Sequence, residues 1–490
     1  MVMYYTIEDY VPVDFPDENK RIFSSEDDKE HFEIENGVLI RYTGNKTTVS
    51  VPDGVVEIGP KAFQYSYYVK NIILPDSVIK IADHAFFKCS ALENINIPTG
   101  VTGIGNSAFE ECLNLKEIDI PDKAAFIGDR AFKDCPNLEK IKIGNGVTKI
   151  GMCAFVACCK LKEIVIPDSV QEILPETFIR CTSLERCVLS ASLKKLPRDM
   201  FNGCAALTEI DIPAAVKEIG AHCFNSCTSL LKRSLPEDIE TIGEGTFFLC
   251  KNLRFFHIPA NVKHIKANAF GGCKNLDKVI IPKTAEDVGD HAFDGCDLLH
   301  SVMIENGVKT IGKMCFESCI SLREITFPES VEKVGDGIVK GCINLEKVTF
   351  LCHLSGMDKS AFTDCDKLQE IVLRADEQRE NIDKLVKNIH RRYCSHVSEY
   401  VKNLRGINIA FKLGCSRQYK NLYEDYLVSY GEKIGKALMD INDMESLRRY
   451  ENYIINGDTL DKLREYSLAK RLIPFTAYFL SFKHEEDDWE

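Results

Sequence analysis

The sequence lacks the features that mark membrane-spanning, secreted or disordered chains. Its longest apolar runs are only a few residues, whereas a transmembrane helix needs about 20. The first 30 residues contain no basic start followed by an apolar stretch, so we expect no secretory signal. Charged residues make up 28% of the 490 positions and hydrophobic residues 45%, a balance that excludes wholesale disorder.

Motifs that carry catalytic chemistry are also missing. The chain contains neither a Gly-x-Ser-x-Gly elbow nor a His-Glu-x-x-His zinc motif. The glycines around Gly105 and Gly312 imitate nucleotide-binding loops, but neither group opens a long helix, and Met314 stands where a phosphate loop needs Ser or Thr. We therefore predict no catalytic residues, no cofactor and no metal, and a protein that is not an enzyme.

Cysteine, in contrast, is abundant and periodic. Thirteen of the 21 Cys recur at a constant step of 23 residues from Cys89 to Cys365, and a Leu follows each of them by three positions. Phe recurs at the same step from Phe63 to Phe362, with Val339 as the single gap. Periods of this length indicate a solenoid of stacked structural repeats.

One unit of the repeat can be followed from Leu92. Ile95, Asn96 and Ile97 alternate as a strand does, and Pro98 ends that strand because proline has no N–H for a sheet ladder. A second short extended piece follows, and Gly105 then allows a turn into a short helical corner. A single coil cannot bury its own apolar edge, so about fourteen coils must stack to form one core.

The unit Leu-x-x-Ile-x-Ile-Pro-x-x-Val-x-x-Ile-Gly-x-x-Ala-Phe-x-x-Cys, as in Leu92–Cys112, carries a family resemblance. It resembles the 23-residue leucine-rich repeats of the BspA-like class, also known as Treponema-type repeats, which occur in bacterial surface proteins and are expanded in some parasitic protists. The resemblance covers about Val49–Arg374. It implies a leucine-rich repeat solenoid that serves as a binding scaffold and does not specify a reaction.

The repeat also explains the cysteines. Cysteines of one column should all point into the core at the same angle, which does not suit a disulfide, so we expect buried free thiols and a reducing, cytoplasmic compartment. Cys223 with Cys227, and Cys315 with Cys319, imitate metal ligands but occupy small core slots. Three histidines share one slot several coils apart and are expected at the surface: His84, His222 and His291.

The outward positions of the first strand are where the repeat leaves residue choice free. Phe255, His257, Ile280 and Met303 should be neighbours across three coils, with Lys278 beside them. An apolar cluster with a charged rim on an open sheet predicts a partner-binding site. The alternative is that another part of the same chain covers this face.

The domain plan has three parts: an acidic N-terminal arm at 1–31, a solenoid at 32–374 that starts with a capping coil, and a helical cap or accessory domain at 375–490. Arg233 falls in a slot that is aliphatic or aromatic elsewhere, so we expect a local bulge there. In the last part we expect helices around Tyr419–Tyr430 and Met444–Ile455, and a helix over Leu460–Leu472 with Thr459 as its N-cap. Residues 443–483 are weakly similar to an ankyrin-type helix pair.

The predicted function is that of a non-enzymatic protein-interaction scaffold, which we expect to be a monomer. One alternative is a cell-surface adhesin or host-interaction protein. Another is an enzymatic or nucleic-acid-binding activity in the helical region, where Arg379–Lys420 carries 10 basic residues interleaved with aromatic ones. A solvated helix face over an apolar stripe explains that basic stretch better, so we do not expect nucleic acid to be a partner.

Overall fold

The computed structural model describes residues 31–231, 234–353, 360–374, 376–377, 380–382, 384–387, 406–410, 412–413 and 417–481. The predicted architecture is confirmed, because the chain forms a solenoid of about 14 coils followed by a helical region. Most coils contribute one strand to a first sheet, one strand to a second sheet, and a corner built of turns. In a few coils a single bridge takes the place of a strand, as at Phe255 in the first sheet and Ile104 in the second.

The strands are short because each one spans only one side of a coil. The first sheet contains Thr48–Ser50, Asn71–Ile73, Asn94–Ile95, Glu117–Asp119, Lys140–Lys142, Glu163–Val165, Arg186–Val188, Glu209–Asp211, Lys278–Ile281, Ser301–Ile304, Glu324–Phe327, Lys347–Phe350 and Glu370–Val372. The second sheet contains Glu57–Ile58, Lys80–Ile81, Phe126–Ile127, Lys149–Ile150, Glu172–Ile173, Lys195–Leu196, Glu218–Ile219, Thr241–Ile242, His264–Ile265, Asp287–Val288, Thr310–Ile311 and Lys333–Val334.

The register of the parallel strands repeats the sequence period. Ile118 pairs with Ile141 in the first sheet, and Ile150 pairs with Ile173 in the second, so equivalent residues of successive coils lie side by side. Each repeat slot therefore becomes a column of side chains along the solenoid. One residue's environment is set mainly by its two counterparts in the adjacent coils.

The central column of the core is aromatic. The rings from Phe63 to Phe316 stack with centroid separations of 4.9 to 5.6 Å. Tyr42 and Phe32 extend the column at its N-terminal end, with centroid separations of 5.2 and 5.1 Å. Stacked pairs of this kind stabilise a core by about 0.5–1.5 kcal/mol each beyond the apolar area that they bury.

Val339 interrupts the aromatic column, and the same part of the core gains volume elsewhere. Ile338 is fully buried in the slot that Ala108 fills in an earlier coil. Phe327 and Phe350, in slots that hold aliphatic residues in other coils, are also fully buried and stack at 5.0 Å. The side-chain volume lost at one column is thus replaced at its neighbours, as dense core packing requires.

The corners are runs of turns and differ in this detail from the predicted short helices. Nearly every described corner places two residues in the left-handed region, for example His84 at φ 59° and Lys88 at φ 58°. These residues cannot continue a right-handed helix. They turn alternate N–H groups toward the next coil, where the Phe86 N–H donates to the Ala108 carbonyl at 2.8 Å. The corners therefore form a third hydrogen-bonded ladder along the solenoid.

Both ends of the stack are covered. At the N-terminal end, Phe32–Glu35 and Val38–Tyr42 form an antiparallel hairpin across Asn36 and Gly37, whose φ angles of 48° and 78° suit a tight turn. At the C-terminal end, Leu385 and Ile409 are buried in the same hydrophobic cluster as the solenoid core. The helical residues at 384–387 and 406–410 thus contribute to the cover of the last coils.

The helical region has its own core. Its helices are Arg417–Ser429, Gly431–Asp440, Met444–Arg449, Glu451–Ile454, Gly457–Ala469 and Ile473–Leu480. Tyr423, Leu427, Ile434 and Leu463 are buried in a second hydrophobic cluster. The predicted N-cap at Thr459 is wrong, because the side chain of Asn456 accepts the Thr459 N–H and starts that helix one turn earlier.

Some predictions fall on parts of the chain that the structure does not describe. Arg233 and its expected bulge lie outside the described residues, as does most of the acidic arm. The same is true of much of the basic stretch Arg379–Lys420. The ankyrin-type pair at 443–483 stays a prediction. Among the described helices, none combines the length and the apolar character that crossing a membrane would require.

Candidate functional site

The predicted site residues lie together on the outer face of the first sheet. Phe255 pairs with Lys278 through an isolated parallel bridge, and Ile280 pairs with Met303 in the regular ladder. His257 is two residues beyond Phe255 and so lies on the same face. We call Phe255, His257, Lys278, Ile280 and Met303 the 255–303 patch.

The patch is open to solvent, although its strands are anchored in the core. Phe255 is 48% exposed and Met303 is 51% exposed. The residue between Phe255 and His257 faces inward, and the buried Phe256 ring lies 4.9 Å from the ring of Phe270. The apolar groups of the patch are therefore presented on a fixed surface. In the part of the chain that the structure describes, no segment covers them.

Positive charge lies at the edge of the patch. The Arg254 guanidinium sits 5.0 Å from the centroid of the Phe255 ring, a cation–π contact that holds both groups at the surface. Lys278 has no carboxylate within ion-pair distance among the described residues. His257 Nε2 lies 3.9 Å from Glu237 Oε1. An acidic group of a partner would therefore find uncompensated cations beside an apolar surface.

The N-terminal half of the same face has a different character. Its first outward column alternates in charge along consecutive strands through Glu117, Lys140, Glu163, Arg186 and Glu209. The Arg186 guanidinium lies 3.7 Å from the Glu163 carboxylate, so this half compensates its own charges. The contrast makes the 255–303 patch the more distinctive surface for a partner.

A cleft of about 1020 Å³ opens on this N-terminal half. It lies at one of several places where the ladder of the first sheet is interrupted: among the described strands, Lys140–Lys142 forms no sheet pairing with Glu163–Val165. Its lining includes four lysines and three carboxylates beside Ile141, Ile143, Val165 and Val188: Lys140, Lys142, Lys160, Lys162, Glu139, Glu163 and Asp168. These charges largely cancel, so the cleft favours neither anions nor cations strongly.

The cysteine column is a structural element of the core. Every thiol of the 23-residue series from Cys89 to Cys365 donates a hydrogen bond to a backbone carbonyl of the preceding coil. The acceptor belongs to the residue of the aromatic column, or to Val339 in its gap, and Cys89 Sγ lies 3.0 Å from Phe63 O. Burial raises the pKa of the Cys89 thiol to about 12. Because the thiolate is the reactive form of cysteine, these buried, protonated thiols are unreactive. All the described cysteines are free thiols.

The cysteine pairs that imitate metal ligands in the sequence are buried in the core, as predicted. Cys223, Cys227, Cys315 and Cys319 are fully buried core residues. Burial also raises the pKa of the Cys319 thiol, so the proton needed for its hydrogen bond to the Phe293 carbonyl is retained. The chemistry of this set is that of small apolar fillers.

The slot shared by His84, His222 and His291 contributes to a cluster of possible metal ligands that the sequence analysis does not predict. His222 packs over Gly245, where a side chain of any size would collide with its ring. His291, in contrast, lies beside Asp294 and Glu317, and one donor atom from each lies within 4.8 Å of the others. The signal was available in the sequence, because an acidic residue follows His291 by three positions and another lies one repeat after Asp294.

The comparisons with known proteins agree with this structure. The model of the BspA type leucine rich repeat region matches residues 33–161, 154–277 and 263–382. A leucine-rich repeat protein from Bacteroides ovatus is similar at 30% identity and a TM-score of 0.60, covering 71% of this chain and 91% of that one. A search of curated proteins finds no match.

Two other solved structures are similar at lower scores. A leucine rich cell surface protein from Faecalibacterium prausnitzii is 24% identical with a TM-score of 0.44, covering 72% of this chain and 94% of that one. A leucine-rich repeat protein from T. pallidum is 29% identical with a TM-score of 0.32, covering 42% of this chain and 91% of that one.

Proposed function

Because the chain belongs to the family of BspA-type leucine-rich repeat proteins, we propose that it is a non-enzymatic scaffold. It binds a partner protein through the 255–303 patch. Leucine-rich repeats share a scaffold and not a reaction, so the function must be argued from the surface that the scaffold presents.

The observation that carries the proposal is the exposure of large apolar side chains on a rigid sheet. Phe255, Ile280 and Met303 project from strands whose inward residues are buried. Hot spots of protein interfaces are enriched in aromatic and Arg side chains near the centre of an apolar contact. Arg254 and Phe255 provide such a pair at one edge.

The charges around the patch restrict the chemistry of the partner. Lys278 and Arg254 lie beside the apolar side chains, and neither forms an ion pair with a described residue. We infer a partner segment that combines apolar side chains with carboxylates. Such pairing raises the rate and specificity of association more than the final affinity, so binding should weaken at high salt.

The test compares two pairs of exposed apolar residues on the same sheet. Phe255→Ala with Met303→Ala should abolish capture of the partner from native lysate by the full-length chain. Val165→Ala with Val188→Ala removes exposed apolar groups from neighbouring strands outside the patch and should leave capture intact. The captured partner is then purified and titrated against each variant at low and high salt.

Two results would contradict the proposal. One is equal binding by wild type and the Phe255→Ala, Met303→Ala variant. The other is loss of binding only in the Val165→Ala, Val188→Ala variant, which would move the site to the cleft. A melting temperature within a few degrees of wild type shows that a lost interaction reflects the surface, since surface substitutions usually change stability by about 0.5 kcal/mol or less.

We further propose that the protein acts as a monomer in the cytoplasm. The buried free thiols support this compartment, because unpaired cysteines are typical of reducing environments. Protease treatment of intact source cells checks this: a cytoplasmic protein should survive, whereas digestion would favour the adhesin alternative. Light scattering of the purified chain should give the mass of one copy, 55.3 kDa.

A further inference from the structure

One corner of the solenoid brings together three side chains that are common metal ligands. His291 and Asp294 lie on one coil and Glu317 on the next. All three are partly exposed, so a dissolved ion could reach them. The corner lies apart from the first sheet, and none of these residues belongs to the 255–303 patch.

The donor atoms are spaced as a small metal ion requires. His291 Nδ1 lies 3.3 Å from Asp294 Oδ2 and 3.8 Å from Glu317 Oε2. Zinc binds nitrogen and oxygen at about 2.0–2.2 Å in tetrahedral geometry, which separates its donors by about 3.4 Å. Small side-chain adjustments would therefore bring the three donors around one ion without a change in the backbone.

Glu317 is already oriented for such a role. Its Oε1 accepts a hydrogen bond from Lys340 Nζ at 2.7 Å, whereas its Oε2 is the oxygen directed toward His291. Ligating carboxylates commonly hold an outer hydrogen bond of this kind, which fixes their orientation. Lys340 can thus remain paired with Glu317 while the other oxygen binds an ion.

An equivalent corner nearer the N-terminus shows which residue makes the difference. There the Lys133 ammonium pairs with Glu110 at 3.0 Å, and His84 occupies the slot of His291. The slot of Asp294 holds Phe87, whose ring contacts the His84 ring at a centroid separation of 5.4 Å. The Glu–Lys pair is therefore a recurring structural element, and Asp294 is what adds a third donor at the second corner.

At the second corner the carboxylates of Asp294 and Glu317 both lie beside the His291 imidazole, and Lys340 pairs with only one oxygen of Glu317. Two carboxylates beside an imidazole form a site whose charge a divalent ion would balance.

We propose that His291, Asp294 and Glu317 bind one divalent transition-metal ion of the zinc class. Imidazole nitrogen favours zinc and its neighbours over magnesium and calcium, which prefer all-oxygen sites. Three protein donors leave at least one coordination position for water or for a ligand supplied by a partner. The corner would then be an open metal site, of the type that can recruit a further molecule.

The test is a zinc titration of the metal-free full-length chain, followed by calorimetry. Wild type should bind one Zn²⁺ that is lost in Asp294→Phe, which copies Phe87, and in His291→Asn, which copies Asn268 of the preceding coil at φ 56°. Since loss of a ligand's outer hydrogen-bond partner already weakens metal binding by about tenfold or more, loss of a ligand itself should weaken it by at least that factor. Because both variants use side chains that the repeat already accommodates, they should melt like wild type without metal.

A matched pair of glutamate variants separates the metal site from the ion pair. Glu317→Gln should weaken zinc binding, whereas Glu110→Gln removes the same pairing with a lysine at the first corner and should not. Co²⁺ bound to wild type should show weak visible bands without the intense sulfur charge-transfer absorption that thiolate ligands produce. No saturable binding by wild type, equal binding by Asp294→Phe, or a sulfur signature would each overturn the proposal.

Discussion

The solenoid and the helical region bury their side chains by different rules. In the solenoid, one slot is filled by the same kind of residue in coil after coil, so Phe201 lies between Phe178 and Phe224 at 5.5 and 5.6 Å. In the helical region, each buried residue has its own set of neighbours, and helices such as Gly431–Asp440 and Gly457–Ala469 pack through side chains that do not repeat.

This difference determines how each region responds to damage. The stability of a solenoid is approximately a sum of coil terms and interface terms between neighbours, so a defect in the middle affects adjacent coils and an uncovered end affects the whole stack. A helical cluster with one shared core is expected to lose its structure as a unit. Substitutions and truncations placed in one region or the other should therefore give distinguishable responses.

The largest effect is expected from removal of the helical region. A chain cut after Arg374 loses Leu385 and Ile409, which are buried against the solenoid core. The last coils would then expose apolar side chains and an unpaired strand edge, which favours aggregation. Size-exclusion chromatography with light scattering should show large species for the 1–374 fragment. A monomeric fragment that melts like the full chain would show that the two regions are independent.

The second effect comes from a cavity in the aromatic column. Phe201→Ala removes a fully buried ring and should reduce the free energy of unfolding by about 3 to 5 kcal/mol. Hydrogen exchange should increase in the coils on either side and remain unchanged in the helices from Arg417 to Leu480. Leu463→Ala in the helical core is the comparison, and there the faster exchange should extend across the helices. Uniform loss in both variants would show that the whole chain unfolds as one unit.

A smaller effect should follow from repairing the gap in that column. Val339→Phe restores the repeat, but Ile338 is larger than the residue in the same slot of an earlier coil, and so are Phe327 and Phe350, and all three are fully buried. We therefore expect a loss of about 1 to 3 kcal/mol from overpacking, measured by urea unfolding. The double change Ile338→Ala with Val339→Phe, which copies Ala108 and Phe109, should recover part of that loss. A gain of stability in the single variant would show that the core is loosely packed at this point.

The smallest effect concerns pH and single thiols. The folded state keeps the proton of Cys89, whose pKa burial raises from 9.0 to about 12, whereas the unfolded chain releases it. The stabilising contribution is therefore complete below about pH 9 and is lost as the pH rises toward 12. In Cys89→Ala, the unfolding free energy should fall less steeply above pH 9, by about 1.4 kcal/mol per pH unit.

Urea unfolding at pH 8 and pH 10 measures this difference. Cys159→Ala is the control, because that thiol is only partly buried and its substitution should change the slope less. Identical slopes for wild type and Cys89→Ala would mean that the thiol column does not resist ionisation.

Much of the solenoid could be predicted from the sequence because one repeat slot reports one environment. Thirteen cysteines at a constant step indicate one buried column, and the same step combined with the two-residue alternation of a strand places Phe255 and Met303 on one outer face. The details that escaped prediction depend on interactions within a single slot. The left-handed residues of the corners are an example, since Lys88, Glu111 and Ala157 share a conformation but no common side-chain chemistry.

The helical region and the metal-ligand corner were harder to predict for the same reason. Thr459 and Asn456 are both good N-cap residues, and Asn456 is the one that caps the helix. The helical region has no repeat whose other copies could indicate which of the two is used. His291 shares its slot with His84 and His222, so the period alone makes the three histidines look equivalent, although only His291 is followed three positions later by an acidic residue. A periodic pattern predicts what the coils have in common, but it carries no information about a residue, such as Asp294, that occurs in its slot in one coil and not in the others.

The constant coil also sets how the molecule would respond to a pulling force. If coils detach one at a time from an uncovered end, each event releases 23 residues of slack chain. At about 3.4 Å per extended residue, less one strand spacing of about 4.8 Å, this amounts to roughly 75 Å per event. The solenoid would then extend in equal steps, and the helical region would appear in the same trace as one event of a different length.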